Sequence, residues 1–293
     1  MAIVPINNLL KIVNPVFQIS DLTCEYVTDK PILRISNLII PRGKLIFVIG
    51  VSGIGKSTFI ETLGFMNRTI SNSSSMSLQY HATDNSSVRE LKNFWELSDD
   101  ELSAFRRENF SFIFQNTNLM PNFTAGENMM FSLLLQGKTF SQSKERVLEV
   151  MKLLSLDEVI FDKKITALSG GQRQRLAFVR AITSEFNVLF GDEPTGNLDE
   201  KTAADLMVVL KHVLETENKS GIIVSHDLDL ALKFADEVIP ITQKKIGEDA
   251  FIGEIDEKNI LKKSGEKWLI GSGTCSDPRG YINEFLKRKI TVS

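Results

Sequence analysis

The chain has 293 residues and a formal net charge of −3, so no general positive field marks it as a nucleic-acid binder. With 42% hydrophobic and 24% charged residues it has the make-up of an ordinary globular protein, long enough for one large core or two modest ones. No apolar run approaches the roughly 20 residues needed to cross a bilayer, the opening residues lack a signal-peptide pattern, and Cys24 and Cys275 fit neither a zinc nor a redox spacing, which suggests a reduced cytosolic setting.

Along the chain, residues from Val16 to Ile40 are expected to form strands: Val16–Ile19, Glu25–Val27, Ile32–Ile35 and Leu38–Ile40. Asp29-Lys30-Pro31 and Pro41-Arg42-Gly43 supply the breaks. Tyr26 lies upstream of the next motif, where an aromatic can stack on a nucleotide base or simply pack into a sheet. The apolar run Leu45–Ile49 then leads into Gly50-Val51-Ser52-Gly53-Ile54-Gly55-Lys56-Ser57-Thr58, followed by a helix-permitting run from Phe59 to Met66. Strand, glycine loop and helix are the setting a phosphate-binding loop requires. The glycines let backbone N–H groups close around phosphates, and Lys56 supplies charge to the β- and γ-phosphates. Ser57 can ligate Mg²⁺, and the helix offers its positive end.

A polar stretch from Asn67 to Ser77 and a second polar cluster from Thr83 to Ser87 flank the alternating segment Met76–Tyr80. They read as an exposed, mobile loop carrying a weak edge hairpin. Ser98 with Glu101 three positions on forms a capping box that opens a helix through Phe105 and Arg107. The strand Phe110–Phe114 ends on Gln115. Between Asn116 and Ala167 the pattern turns helical, with helices expected over Glu127–Gln136 and Ser141–Leu154, and the block reads as a subdomain inserted between strands. Leu168-Ser169-Gly170-Gly171-Gln172 opens a further helix to about Ile182, giving a hydroxyl and consecutive glycine amides at a helix N-terminus. The buried strand Val188–Phe190 leads to Gly191-Asp192-Glu193-Pro194, a helix spans Lys201–Glu215, and the strand Gly221–Ser225 ends at His226-Asp227. A helix over Leu228–Ala235 and a strand over Glu237–Ile241 complete an α/β alternation, hence a mainly parallel sheet with ligands at the strand C-terminal ends. From Thr242 to Ser293 the pattern loses regularity; an accessory subdomain and a loosely held tail fit it equally.

The order of motifs narrows the chemistry. Asp192 can hold Mg²⁺ from a strand end, while Glu193 can polarise an attacking water as general base. Gln115 can reach the metal or the water, and the His226 imidazole can contact the γ-phosphate and couple to the base. Taken singly, Gln115 and His226 are more often surface or capping residues, and Asp192-Glu193 could merely begin a helix ahead of Pro194. A second anion site at Ser169 suggests that two chains share each nucleotide.

The strings GVSGIGKST, LSGGQ, VLFGDEP and VSHD, with the Gln115 strand, resemble the nucleotide-binding subunits of ATP-binding cassette (ABC) transporters over about residues 16–245. LSDDELSAFRREN, Asn118-Leu119-Met120-Pro121, Thr124-Ala125-Gly126-Glu127-Asn128 and DEPTGNLD are similar to the branch of lipoprotein-releasing, macrolide-exporting and cell-division ATPases. The resemblance implies a P-loop, RecA-like α/β core at 16–115 and 185–245, with an antiparallel β-subdomain and a polar insertion at about 69–97. It also implies an α-helical subdomain at 116–184, and it leaves 246–293 as a C-terminal accessory segment. It implies ATP and Mg²⁺ as ligands, ATP hydrolysis, Tyr26 as base-stacking residue and Gly50 to Thr58 as phosphate loop. Ser57, Gln115 and Asp192 would serve the metal; Glu193 would be catalytic base and His226 the switch residue, with Gln115 and Lys56 also catalytic. Ser169, Gly170, Gly171 and Gln172 would touch the γ-phosphate held by a second copy, and Asp199 would communicate across that dimer. The implied partners are a second copy in a head-to-tail sandwich and an integral membrane permease that holds the chain at the inner face of the membrane; no nucleic acid is expected. The sequence departs from the branch in the Ser/Asn-rich stretch Thr69–Ser87, in Lys163-Lys164-Ile165-Thr166, which lacks an aromatic–proline pair, and past Ile241. Two other readings stand beside it: a non-transport cassette ATPase of chromosomes, repair or ribosomes, and a low-turnover regulatory nucleotide-binding module.

Overall fold

The structure is a computed structural model that describes residues 14–71, 75–82, 88–91, 94–246, 251–287 and 289–290. Much of the Ser71–Ser75 run and the Thr83–Ser87 cluster, read from sequence as mobile, lies outside the described residues.

Where four short strands are expected, the chain makes two long ones, β1 (Pro15–Val27) and β2 (Lys30–Pro41). They pair antiparallel, from Phe17 opposite Ile40 to Val27 opposite Lys30. The polar Ser20-Asp21 stretch does not end β1: Asp21 takes φ 50°, yet the register runs unbroken across it, from Ser20 opposite Asn37 to Leu22 opposite Ile35. Next come β3 (Leu45–Ile49) and α1 (Lys56–Leu63), then β4 (Ser77–His81) and β5 (Val88–Glu90). β4 and β5 do form an antiparallel hairpin at a sheet edge, but β4 is not an exposed loop: it pairs with β1, and its Tyr80 is 1% exposed. The Tyr80 hydroxyl donates to Asn109 Oδ1 at 2.8 Å and accepts from Asn187 Nδ2 at 2.8 Å, so its one polar atom is satisfied inside the core.

The middle of the chain supplies α2 (Asp99–Asn109), β6 (Phe110–Ile113), α3 (Ala125–Leu135), α4 (Phe140–Leu153) and α5 (Gly170–Thr183). The capping box expected at Ser98 and Glu101 is present, and Thr124, Thr139 and Ser169 begin their helices in the same way. Then follow β7 (Val188–Asp192), α6 (Glu200–Thr216), β8 (Ser220–Ser225), α7 (Leu228–Phe234) and β9 (Glu237–Pro240). The last stretch holds β10 (Thr242–Lys245), β11 (Phe251–Ile255), β12 (Leu261–Ser264), β13 (Lys267–Ile270), β14 (Gly273–Cys275), α8 (Pro278–Lys287) and β15 (Lys289–Ile290).

These strands form two sheets. The central one runs β14-β13-β12-β9-β3-β8-β7-β6, and its β9-β3-β8-β7-β6 part is all parallel. The outer one runs β15-β10-β11-β2-β1-β4-β5. The C-terminal stretch takes part in both, since β11 pairs with β2 and β12 pairs with β9.

The period of two along β3 divides the interior. Leu45, Phe47 and Ile49 enter a core shared with α3, α5 and α6, whereas Ile46 and Val48 enter one shared with β1, β2 and α1. The central sheet is therefore buried on both faces, as its continuous apolar strands require. One consequence fixes the site: every parallel strand ends at the same edge, so the residues after β3, β6, β7 and β8 are brought together.

Candidate functional site: a phosphate-loop cavity at the strand ends

The turn from β3 into α1 depends on backbone freedom. Gly55, the N-cap of α1, sits at φ 102°, a conformation that a side chain would strain. At Gly50 a Cβ would come within 2.8 Å of Ile54 Cγ2, so the loop cannot close over a larger residue. Lys56 Nζ donates to the carbonyls of Gly50 at 2.9 Å and Val51 at 3.1 Å, which holds the loop shut and the ammonium beside it.

The loop floors a cavity of about 360 Å³ lined by Ser52, Gly53, Gly55, Lys56, Ser57 and Thr58, closed by Gln115, Asp192 and Glu193 from other strand ends. Ile32 of β2 also lines it, an apolar residue that belongs to no motif. Val51 is half-buried and Ile54 is buried against the sheets, so those two shape the loop from behind.

Asp192 hydrogen-bonds the Ser57 side chain, and burial pushes its carboxyl above the usual range against that bond. Glu193 follows in the left-handed region at φ 46°, with its N–H donating to Val224 O at 2.9 Å. A non-glycine residue held there stores on the order of 1–3 kcal/mol of strain. The twist aims the carboxylate at His226, whose Nδ1 lies 2.8 Å from Glu193 Oε2. The His226 side chain is 71% exposed, so its ring is presented at the surface while Glu193 is held below it. These two also border a second cavity of about 440 Å³ between α6 and α7.

Not every expected residue joins the phosphate loop. Tyr26 is 57% exposed, which excludes the packing alternative, and its hydroxyl lies 3.4 Å from Thr58 Oγ1 beside the loop. Ser169, Gly170, Gly171 and Gln172 do not line the cavity. They start α5 as a self-contained cap, Gln172 N donating to Ser169 Oγ at 3.2 Å and Ser169 N to Gln172 Oε1 at 2.9 Å. Ser169 and Gly170 are exposed. Asp199 caps α6, accepting from Thr202 N at 2.9 Å, a bond that holds its carboxyl below the usual range.

Three positioning residues escaped sequence reasoning. Buried Gln174 of α5 donates through Nε2 to Pro194 O at 2.5 Å, tying that helix to the Asp192-Glu193 turn. Arg180 donates to the carbonyls of Thr117 at 2.8 Å and Asn118 at 2.9 Å, fixing the loop after Gln115. Fully buried Asn128 bonds Met120 N at 2.7 Å and Met120 O at 3.1 Å in the same loop. Only the polar residue on a buried helix face could have signalled them.

Comparison with known proteins agrees with this geometry. A family model described as ABC transporter matches residues 33–196. An uncharacterised ABC transporter ATP-binding protein of Methanocaldococcus jannaschii, MJ0796, is 31% identical over 229 residues, 77% of this chain and 92% of that one. The lipoprotein-releasing system ATP-binding protein LolD of Xanthomonas oryzae is 34% identical over 218 residues, 74% and 83% of the two chains. The dimeric structure of MJ0796 superposes with a TM-score of 0.68 at 29% identity, covering 85% of this chain and 99% of that one. A post-hydrolysis MJ0796 dimer bound to ADP and Pi gives 0.66 at 27% identity, over 85% and 99% of the two chains. The chain belongs to the ABC transporter family, as one of its ATP-binding, ATP-hydrolysing subunits.

Proposed function

We propose that this subunit works as a pair with a second copy, two ATP molecules being held between them head to tail, and that the pair drives a membrane permease. The observation that carries the reading is the separation of the two anion sites. The phosphate loop lies in a cavity with Lys56, Gln115, Asp192 and Glu193, while the Ser169–Gln172 cap lies outside it and faces solvent. MJ0796 forms a dimer, and one of its dimers holds ADP and Pi.

In this reading the loop amides and Lys56 bind the β- and γ-phosphates, and Tyr26 stacks on the base. Glu193 accepts a proton from the attacking water, and His226 holds the Glu193 carboxylate in place at 2.8 Å while its exposed ring meets the γ-phosphate. Gln115 orients the water. Across the dimer, Ser169 and the amides of Gly170, Gly171 and Gln172 reach the partner's γ-phosphate, and Asp199 lies at the seam. Little covalent chemistry is asked of the protein: positioning and charge neutralisation carry phosphoryl transfer.

A magnesium ion fits the donor set. Ser57, Gln115 and Asp192 are hard oxygen donors, and among the described residues there is no cluster of three or more His, Cys, Asp or Glu side chains that would hold an ion alone. Ser57 and Asp192 would hold it, and it would neutralise phosphate charge when bound.

No helix among the described residues is long and apolar enough to cross a membrane, and in this reading a permease partner spans it. A groove of about 310 Å³ between the helical block and β6 offers the docking face, with Phe112, Phe114, Phe131 and the exposed Leu135 around it. The LolD relative carries a lipoprotein-releasing name, which supports transport over chromosome or ribosome work. The same reading divides the chain into a core, a helical subdomain and the segment after residue 245, and places it at the inner membrane face.

Mixing tests the shared site. A Lys56→Ala chain has a broken phosphate loop and a sound Ser169 cap; a Ser169→Arg chain has the reverse. Each alone should hydrolyse little ATP, and mixing them should restore activity through one intact composite site. If the mixture stays as inactive as its components, the head-to-tail pair is wrong.

A further inference from the structure

The helix α7 starts directly after His226, with Asp227 as its N-cap accepting from Leu230 N at 2.9 Å. On its α6 side Lys211 Nζ donates to Phe234 O at 2.8 Å in the last turn, while the first turn, with Asp227, Asp229 and Leu230, borders the cavity of about 440 Å³ that also touches Glu193 and is the less closely packed end. On another side the C-terminal segment holds it at both ends. Arg279 of α8 makes an ion pair with Asp229 in the first turn of α7. Lys263 Nζ of β12 donates to Lys233 O in the last turn at 3.3 Å, and Lys263 N donates to Asp236 O at 2.7 Å just beyond it. Between these ends the fully buried Ile282 of α8 enters the same core as Leu230, Ala231 and Phe234. The family model stops at residue 196, and the bracing residues Lys263, Arg279 and Ile282 also lie past residue 245, where the motif resemblance ends.

We propose that residues 257–287 form a brace that sets α7, and through it His226, against Glu193, with Arg279 as a positioning residue for ATP hydrolysis. The proposal rests on the hydrolytic reading of the Glu193–His226 pair. A seven-residue helix moves as a rigid rod, so a shift at Asp229 carries Asp227 and His226 with it. The His226–Glu193 separation of 2.8 Å leaves no slack for such a shift. Arg279 and Asp229 are largely exposed, with 51% and 73% of their side-chain surface accessible, so their pair adds little to stability. Its effect belongs in the rate.

The test uses the full-length chain and compares Arg279→Asp, the charge-swapped double Asp229→Arg/Arg279→Asp, and Glu193→Gln. For Arg279→Asp the expectation is a kcat about 5-fold lower with KM for ATP unchanged. Amides of residues 228–234 should exchange about 10-fold faster, while Tm stays within about 2 °C. The double variant should recover most of both the rate and the protection, which a general loss of structure would not do. If Glu193→Gln hydrolyses ATP at the parental rate, the reading of the site fails and the brace with it. If Glu193→Gln is inactive but Arg279→Asp keeps the parental kcat and exchange pattern, the brace alone is overturned. Slowing that the charge swap does not reverse also overturns it.

Discussion

The phosphate loop and the Ser169 cap of this chain are built in opposite ways. Residues 50–58 fold in on themselves, with Lys56 bonded to the loop's own carbonyls and Gly55 held at φ 102°. The cap at 169–172 turns outward, and a Cβ on Gly170 would meet nothing within 4 Å. A concave cavity can hold a ligand alone. An exposed cap at a helix N-terminus is open to an anion that another surface brings to it. In the proposed head-to-tail pair, that contrast gives the two regions complementary parts.

The sharpest way to break the comparison is Lys56→Ala. It removes the charge from the self-contained pocket, and ATP affinity measured by equilibrium binding should fall by about 100-fold or more. Retained affinity would mean that the pocket does not bind by itself. Gly170→Val should leave single-chain ATP affinity unchanged, since the residue lies outside the cavity, yet lower ATPase activity by about 100-fold. A loss of binding instead would place Gly170 within its own chain's site.

Stability offers a smaller and cleaner contrast between the same two regions. Gly55→Ala forces a side chain into a left-handed conformation and should cost about 1–3 kcal/mol in denaturant unfolding without nucleotide. Gly170→Ala, in open space at the first position of a helix, should be neutral or stabilise by about 0.4–1 kcal/mol. Equal effects at the two sites would remove the distinction.

Two aspartates sharpen it further through pH. Asp192 has its pKa raised by burial, so its ionisation opposes folding: the penalty is absent below its unfolded pKa and fully present above its folded one. Asp192→Asn should therefore raise the Tm of the nucleotide-free protein near neutrality, with the gain vanishing near pH 3. Exposed Asp199 behaves in the opposite sense. The Thr202 backbone bond lowers its pKa, so its stabilisation is present above the unfolded pKa and lost as pH falls through the folded one. Asp199→Ala should lose that small stabilisation at neutral pH and show no difference from the parent in acid.

Much of the site was legible because it is local or ends a strand. Nine consecutive residues make the phosphate loop, and four bonded neighbours make the Ser169 cap. Gln115, Asp192 and His226 follow strands that the apolar runs mark, and parallel strands end on one side. What stayed hidden depends on pairing. The expected strand Val16–Ile19 stops short of the polar Ser20-Asp21, yet Ser20 opposite Asn37 and Leu22 opposite Ile35 carry β1 through it. Ile32 gains meaning only because β2 passes beside Gly55.

The phosphate loop and the parallel core can be read from adjacent residues, since backbone freedom at Gly50 and Gly55, charge at Lys56 and the continuous apolar run of β3 are local properties. The rest came from long-range packing. It seated the buried Tyr80 between Asn109 and Asn187, put Glu193 within 2.8 Å of His226, and carried β11 and β12 into two different sheets. The short C-terminal strands, Leu261–Ser264 and Gly273–Cys275 among them, carry too little apolar alternation to declare themselves. They become strands because β9 and β13 present unpaired edges, and an edge is a property of the folded sheet, not of any segment within it.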